Sequence, residues 1–228
     1  MASGKRARRD NVIQLERNPV EYGFTDVKPL NFIQGEYLRA IQSNQIVFGV
    51  GSAGTGKTYV AATYAAGELF HRRIQKIILT RPNVETGRGL GFLPGTLEEK
   101  YAPYLEPFDN VFTRCLGKGF YEYALKAKTI EPKPLGFMRG ATFDNCIVLL
   151  DEAQNATREE MKMLLSRIGK NCKMIISGDV DQADIPDSGL SDAINRLDRI
   201  PDIEVVRFMD DDIVRSKMCK SIIIAYRD

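Results

Sequence analysis

Gly51-Ser52-Ala53-Gly54-Thr55-Gly56-Lys57-Thr58 decides the reading of this chain. The stretch has the pattern G-x-x-x-x-G-K-T, and its flanks are those the pattern needs. Ile46-Val47-Phe48-Gly49-Val50 precedes it as an apolar, strand-like run, and Tyr59 to Phe70 follows with helical character. Each position has a physical task. Glycines let successive backbone N–H groups curl around a polyphosphate, and the following helix N-terminus adds the positive end of its dipole. Lys57 has the reach for β- and γ-phosphates, and the Thr58 hydroxyl suits Mg²⁺. Gly51, Ser52, Ala53, Gly54, Thr55, Gly56, Lys57, Thr58 and Tyr59 are therefore the expected binding residues for a nucleoside triphosphate.

Outward from this loop, short Ile/Val-rich runs alternate with helical patterns. Gln45–Gly51, Lys76–Arg81, Cys146–Asp151, Lys173–Gly178 and Glu204–Phe208 read as strands buried on both faces. Thr157-Arg158-Glu159-Glu160 and Thr96-Leu97-Glu98-Glu99 are capping boxes. After the first, Met161, Leu164, Leu165 and Ile168 mark a helix that Gly169 stops. Leu190, Ala193, Ile194 and Leu197 mark another, and Asp211 to Tyr226 reads as a C-terminal helix in which Ile222-Ile223-Ile224 also suits a strand. The alternation predicts an α/β three-layer sandwich with a mostly parallel central sheet. Ligands of such sheets sit beyond the carboxyl ends of the strands, where the phosphate loop lies.

Two more strand ends carry chemistry. Ile147-Val148-Leu149-Leu150 delivers Asp151-Glu152, with Asp151 suited to hold Mg²⁺ through water and Glu152 to orient or deprotonate an attacking water. Met174-Ile175-Ile176-Ser177 delivers Gly178-Asp179-Val180-Asp181-Gln182, which sets the Gln182 amide where a γ-phosphate or lytic water is sensed. Ahead of the loop, the Gln34 amide suits the donor and acceptor edges of adenine, with Tyr37 stacking or packing nearby. With no Asn-Lys-x-Asp signature for guanine, ATP is the expected nucleotide.

Composition narrows the remaining classes. With 228 residues, 43% hydrophobic and 27% charged, the chain suits one large globular domain. No apolar run approaches the roughly 20 residues of a membrane span, and the basic N-terminus lacks the apolar core of a secretory signal, so a cytoplasmic setting is expected. Cys115, Cys146, Cys172 and Cys219 form no C-x-x-C pair, which argues for buried reduced thiols rather than zinc or disulfides. The single His71 leaves no His-based triad or metal cluster and sits where a helix cap is expected. A net charge of +2 gives no strong field for nucleic acid, although Lys5-Arg6-Ala7-Arg8-Arg9 is locally basic and expected to be flexible.

Together the motifs resemble the PhoH family of ATPases, related to the core of superfamily-one helicases. Arg81-Pro82-Asn83-Val84-Glu85-Thr86-Gly87, Leu90-Gly91-Phe92-Leu93-Pro94-Gly95, Glu99-Lys100 and Pro103-Tyr104-Leu105 resemble its characteristic segment. Met138-Arg139-Gly140, Asp151-Glu152-Ala153-Gln154-Asn155, Met161-Lys162-Met163, Arg167-Ile168-Gly169, Ser188-Gly189-Leu190 and Asp212-Ile213-Val214-Arg215 extend it from about Gln34 to Tyr226. Arg88 stands where the family usually has an acid, and Ala141 where it usually has an arginine, so partner or nucleic-acid contacts differ before nucleotide contacts do.

The resemblance implies a P-loop NTPase of RecA/helicase-like fold that hydrolyses ATP with Mg²⁺. It implies a ring-shaped homo-oligomer such as a hexamer, with activity linked to RNA or single-stranded DNA and no membrane partner. Residues 1–30 are expected to form an N-terminal extension, basic and flexible at 1–10, before an ATPase domain over 31–228. The roughly thirty residues before Gln34 are too few for the nuclease-like PIN domain of some relatives, so a phage-type minimal form is expected. Phosphoryl transfer also profits from an arginine, expected here from an adjacent subunit, with Arg139, Arg167 and Arg215 as candidates. The Arg81–Tyr104 segment suits single-stranded nucleic acid through Arg81, Arg88, Lys100, Phe92, Tyr101 and Tyr104, but its apolar Leu90, Phe92, Leu93 and Pro94 favour a subunit interface, and a ring pore would reconcile the two. A nucleotide-switched assembly protein without a polymer substrate is the competing function; a small-molecule kinase fits less well, given the apparent water-activating residues.

Overall fold

The computed structural model describes residues 24–82 and 105–225. The basic tail, the Thr96–Glu99 capping box, and Arg88, Phe92, Lys100, Tyr101 and Tyr104 lie outside the described residues. Six strands, β1 (Ile46–Gly51), β2 (Lys76–Thr80), β3 (Ile130–Pro132), β4 (Cys146–Leu150), β5 (Cys172–Gly178) and β6 (Ile203–Phe208), form one sheet in the order β3-β2-β4-β5-β1-β6. Every pairing is parallel. All carboxyl ends therefore face the same edge, and the strand feeding the phosphate loop sits two places from the strand feeding Asp151. The five expected strands are present within a residue of their expected ends; β3 is a sixth that was not anticipated.

Seven α-helices are described: α1 (Phe32–Ser43), α2 (Lys57–Phe70), α3 (Glu106–Leu116), α4 (Lys118–Lys126), α5 (Arg158–Leu165), α6 (Gly189–Leu197) and α7 (Lys217–Ala225). The period-2 alternation of the strands sorts their side chains onto two cores. Val47, Ile77, Leu79, Ile147, Leu149 and Ile175 pack with Tyr37, Ile41, Val60, Phe108 and Phe112 of α1, α2 and α3. Phe48, Ile78, Val148, Leu150, Met174 and Ile176 pack on the other face with Met161 and Leu164 of α5 and Leu190 and Ile194 of α6. This is the expected α/β three-layer sandwich.

Two helix expectations need correction. The Thr157 capping box is present in both directions, Glu160 N–H to Thr157 Oγ1 at 3.2 Å and Thr157 N–H to Glu160 Oε2 at 2.9 Å. However, α5 ends at Leu165, short of Gly169. Phe143 N–H binds Arg167 O at 2.9 Å and Gly169 N–H binds Phe143 O at 2.9 Å, which draws the chain out of helical geometry. The C-terminal helix begins at Lys217, not Asp211, because residues 209–215 are tied to the phosphate loop. Ile222 and Ile223 are helical, which removes the strand alternative.

Glycine is required where this loop leaves the sheet. Gly51 has φ +126°, and a Cβ there would run into the carbonyl oxygen of Phe208 on β6. Gly51→Ala is expected to cost about 3 kcal/mol or more, as overpacking and a left-handed strain combine. Urea denaturation checks it, and an unchanged midpoint would sink the packing argument.

Candidate nucleotide site

The phosphate loop closes on itself in a defined way. Gly54 (φ +79°) and Gly56 (φ +85°) turn its backbone, and Gly56 caps the N-terminus of α2. The Lys57 Nζ folds back, donating to Gly51 O at 2.6 Å, Ser52 O at 2.8 Å and Thr55 Oγ1 at 3.3 Å. These carbonyls hold the ammonium in the space a phosphate-binding loop encloses. Thr58, one residue on, is brought by α2 to β4: its hydroxyl donates to Asp151 Oδ1 at 3.2 Å. A hydroxyl and a carboxylate so placed are hard oxygen ligands that suit a dication. Tyr59, the last expected binding residue, is half-buried and packs at the edge of the helical core.

The acids are held by neighbours that the motifs alone do not name. Asp151 N–H binds Thr80 O at 3.0 Å, continuing the β2–β4 ladder. Arg81, the first residue after β2, thus faces the acid pair, 2.9 Å from Glu152 Oε1 and 3.3 Å from Asp151 Oδ2. That placement replaces the expectation of a nucleic-acid contact for Arg81. Glu152 adopts a left-handed backbone (φ 54°), a costly state for a non-glycine residue that turns its carboxylate out of the strand line. Its other oxygen, Oε2, accepts from Gln154 Nε2 at 2.7 Å, and Gln154 Oε1 accepts Asp179 N–H at 3.0 Å. Gln154 is buried and so bridges Glu152 to the loop after β5. A second clamp joins the same loops: Asn155 Nδ2 donates to Asp184 Oδ2 at 2.9 Å and Asp184 N–H to Asn155 Oδ1 at 2.8 Å. Sequence reasoning quoted Gln154 and Asn155 but assigned them no task; the signal was their place directly after the acid pair.

Burial pushes the Asp151 carboxyl above the ordinary carboxylate range; Arg81 works against that shift and the Glu152 charge adds to it. The sign follows: a raised folded pKa means the folded state binds its proton more tightly, so ionised Asp151 costs stability once the pH exceeds the unfolded value. Asp151→Asn is therefore expected to raise Tm at pH 7 by about 2–4 °C, the shift that about 1 kcal/mol gives a domain of this size. A scanning-calorimetry Tm below wild type would contradict it.

The remaining expected residues fall into place unevenly. Gln182 lies exposed at the end of a 3₁₀ turn, Val180–Gln182, started by Asp179 accepting from Asp181 N–H at 3.2 Å. The Gln34 amide is buried and occupied within its own chain: Nε2 donates to Thr55 O at 2.8 Å and Oε1 accepts from Leu30 N–H at 2.8 Å. It braces the phosphate loop from behind. Tyr37 is fully buried, with its hydroxyl 3.3 Å from Ser177 Oγ and its ring against the Gly49 backbone, so it packs in the core and does not stack on a base. His71 caps α2 as expected and contacts the rings of Phe24 and Phe70.

The three arginines expected to act from a neighbouring subunit separate clearly. Arg167 binds its own chain, donating from Nε to Met163 O at 3.2 Å and from Nη2 to Ser166 Oγ at 3.1 Å. Arg139 is exposed after the 3₁₀ turn Leu135–Met138. Arg215 lies on the phosphate loop of its own chain: a Cβ on Gly54 would stand 2.9 Å from its Cδ and 3.2 Å from its Nε. Val214 N–H binds Gly54 O at 3.1 Å, and Ser52 Oγ donates to Asp210, so the whole segment after β6 is seated on the loop. Arg215 thus lies against the phosphate loop of its own chain.

No metal-holding group of three or more His, Cys, Asp or Glu occurs among the described residues, and none of their helices is long and apolar enough to cross a membrane. A dication bound beside Thr58 and Asp151 would take its remaining ligands from phosphate and water, as Mg²⁺ usually does beside a nucleotide.

Protein PhoH of Escherichia coli strain K12 is 44% identical over 209 residues, covering 88% of this chain and 59% of that protein. A PhoH-like protein of Bacillus subtilis strain 168 is 47% identical over 196 residues, covering 85% of this chain and 61% of that protein. The chain thus spans about three-fifths of the length of these relatives. Among solved structures, the Pif1 helicase from Candida albicans aligns at a TM-score of 0.38 and 16% identity over 80% of this chain and 41% of that one. That likeness is loose, and the fold stands on the sheet order and the phosphate loop described above. The family model for PhoH-like proteins matches residues 26–227, spanning the phosphate loop, the acid pair and the Arg215 segment alike, and the chain therefore belongs to the PhoH family.

Proposed function

We propose that this P-loop NTPase hydrolyses ATP with Mg²⁺. The observation that carries the reading is the meeting of Thr58 with Asp151 at 3.2 Å, beside a Glu152 whose strained backbone and fixed neighbours aim its carboxylate. When bound, Mg²⁺ neutralises charge on the β- and γ-phosphates. Thr58 and Asp151 hold it, the Gly51–Thr58 backbone cradles the phosphates, and Lys57 exchanges its loop carbonyls for phosphate oxygens. Glu152 orients water and accepts its proton, while Gln154 keeps the carboxylate tied to the Gly178–Gln182 loop. Gln182 reads the γ-phosphate from that loop. Arg215, already seated on Gly54, supplies the cation for the developing charge.

The same proposal assigns the protein to the cytoplasm. It keeps a domain over 31–228, a homo-oligomeric ring such as a hexamer, and coupling to RNA or single-stranded DNA, all supported by the family resemblance. In such a ring the exposed Arg139 is the arginine left to face a neighbour. Phosphate release from Mg-ATP, with and without single-stranded RNA and DNA, tests the reading. Turnover raised several-fold by a polymer is expected; turnover indifferent to every polymer favours a nucleotide-switched assembly, and none under any condition overturns the hydrolase.

A further inference from the structure

The guanidinium of Arg81 enters the site from β2, a strand that carries none of the nucleotide motifs. Strand register puts it there: Thr80 pairs with Leu150, so Arg81 and Asp151 leave neighbouring strands at the same level. The oxygens of both acids are divided between two kinds of partner. Asp151 gives Oδ1 to the Thr58 hydroxyl at 3.2 Å and Oδ2 to Arg81 at 3.3 Å. Glu152 gives Oε1 to Arg81 at 2.9 Å and Oε2 to Gln154 at 2.7 Å. The Arg81 side chain is 18% exposed and that of Asp151 10%, so this contact is shielded from solvent, while Glu152 is half exposed.

We infer that Arg81 is the resident counter-ion of the acid pair, which a divalent cation must displace, so that the site takes its metal with the triphosphate and not alone. The inference rests on the nucleotide reading above and adds a control to it. Two adjacent carboxylates and a hydroxyl would otherwise attract any free dication. A guanidinium keeps its charge at every working pH, and its Nη2 alone lies within reach of both carboxylates. A dication arriving at Asp151 stands within a few ångströms of that charge and is repelled, in a partly buried place where repulsion is weakly screened. The negative charges of a triphosphate reverse the balance. Free metal is thereby held off, and metal with nucleotide is admitted.

The test uses the full chain at pH 8 without nucleotide. Mn²⁺ is titrated into wild type and Arg81→Gln, with free Mn²⁺ read by electron paramagnetic resonance and folding checked by near-ultraviolet circular dichroism. Arg81→Gln is expected to bind Mn²⁺ about tenfold more tightly, since one opposing charge is gone. Arg81→Lys, which keeps the charge, is expected to stay within about threefold of wild type. Equal or weaker Mn²⁺ binding by folded Arg81→Gln overturns the counter-ion role, and so does a tenfold gain in Arg81→Lys, the variant that decides if the glutamine change prevents folding. A fluorescent ATP analogue with Mg²⁺ reports separately on the nucleotide reading: if wild type does not bind it, that reading fails whatever Mn²⁺ does.

Discussion

Glu152→Gln is expected to lower ATP turnover by about 10²–10⁴-fold while leaving ATP affinity within about threefold, the pattern of a lost general base. The substitution keeps shape and removes charge. Its carbonyl oxygen keeps Arg81 at the position of Oε1, while the new NH2 takes the place of Oε2 and the Gln154 amide must turn over to accept from it. What disappears is the ability to take a proton from water. Glu152 is half exposed in its side chain, which leaves room for that water, while Asp151 beside it is only 10% exposed and committed to Thr58. On the proposed mechanism, these surroundings suit the two carboxylates to two tasks. Phosphate release together with calorimetric titration of ATP checks the split. Full turnover in the glutamine variant would move the base elsewhere; lost binding would mean that Glu152 holds the loop together.

Arg215→Ala is expected to lower turnover by about 10³-fold or more, within the range that one well-placed arginine supplies to phosphoryl transfer. The larger point is where it acts. Its side chain lies on Gly54 of its own loop, and the segment that carries it is anchored by the Val214–Gly54 hydrogen bond at 3.1 Å. Mixing Arg215→Ala with Lys57→Ala separates the two geometries. Each variant lacks one component, and a shared site between subunits would restore activity in mixed oligomers. With Arg215 acting in its own chain, the mixture is expected to stay as inactive as either variant alone. Recovery of more than a tenth of the wild-type rate would restore the neighbour-supplied arginine.

Much of this was legible in the sequence. The strands that carry the site are buried on both faces and therefore show as unbroken Ile/Val runs, which fixed β1, β2, β4, β5 and β6 almost to the residue. The Thr157 box was legible because two short-range hydrogen bonds make it. Elements set by distant partners were not. Strand β3 is three residues ending in proline, too short for any periodicity, and it exists because Ile130 pairs with Ile77. Helix α7 starts late because residues near 210–215 are held by a loop more than 150 positions earlier in the chain. At the site, residue types announced the phosphate loop and the acid pair, but not direction. Gln34 has the right groups for adenine and spends both on Thr55 and Leu30. Arg81 has the right charge for nucleic acid and faces two carboxylates. Gln154 was overlooked because a buried amide bridging two loops looks, in one dimension, like any helix-cap glutamine.

The most direct test of the nucleotide site is calorimetric titration of the full chain with a non-hydrolysable ATP analogue and Mg²⁺, repeated with Lys57→Ala. One nucleotide per chain is expected in wild type, with affinity reduced by about a hundredfold or more in the variant, because a buried ammonium bonded to charged phosphate is lost. Equal binding by both proteins, or no binding by either, would contradict the assignment of the Gly51–Thr58 loop.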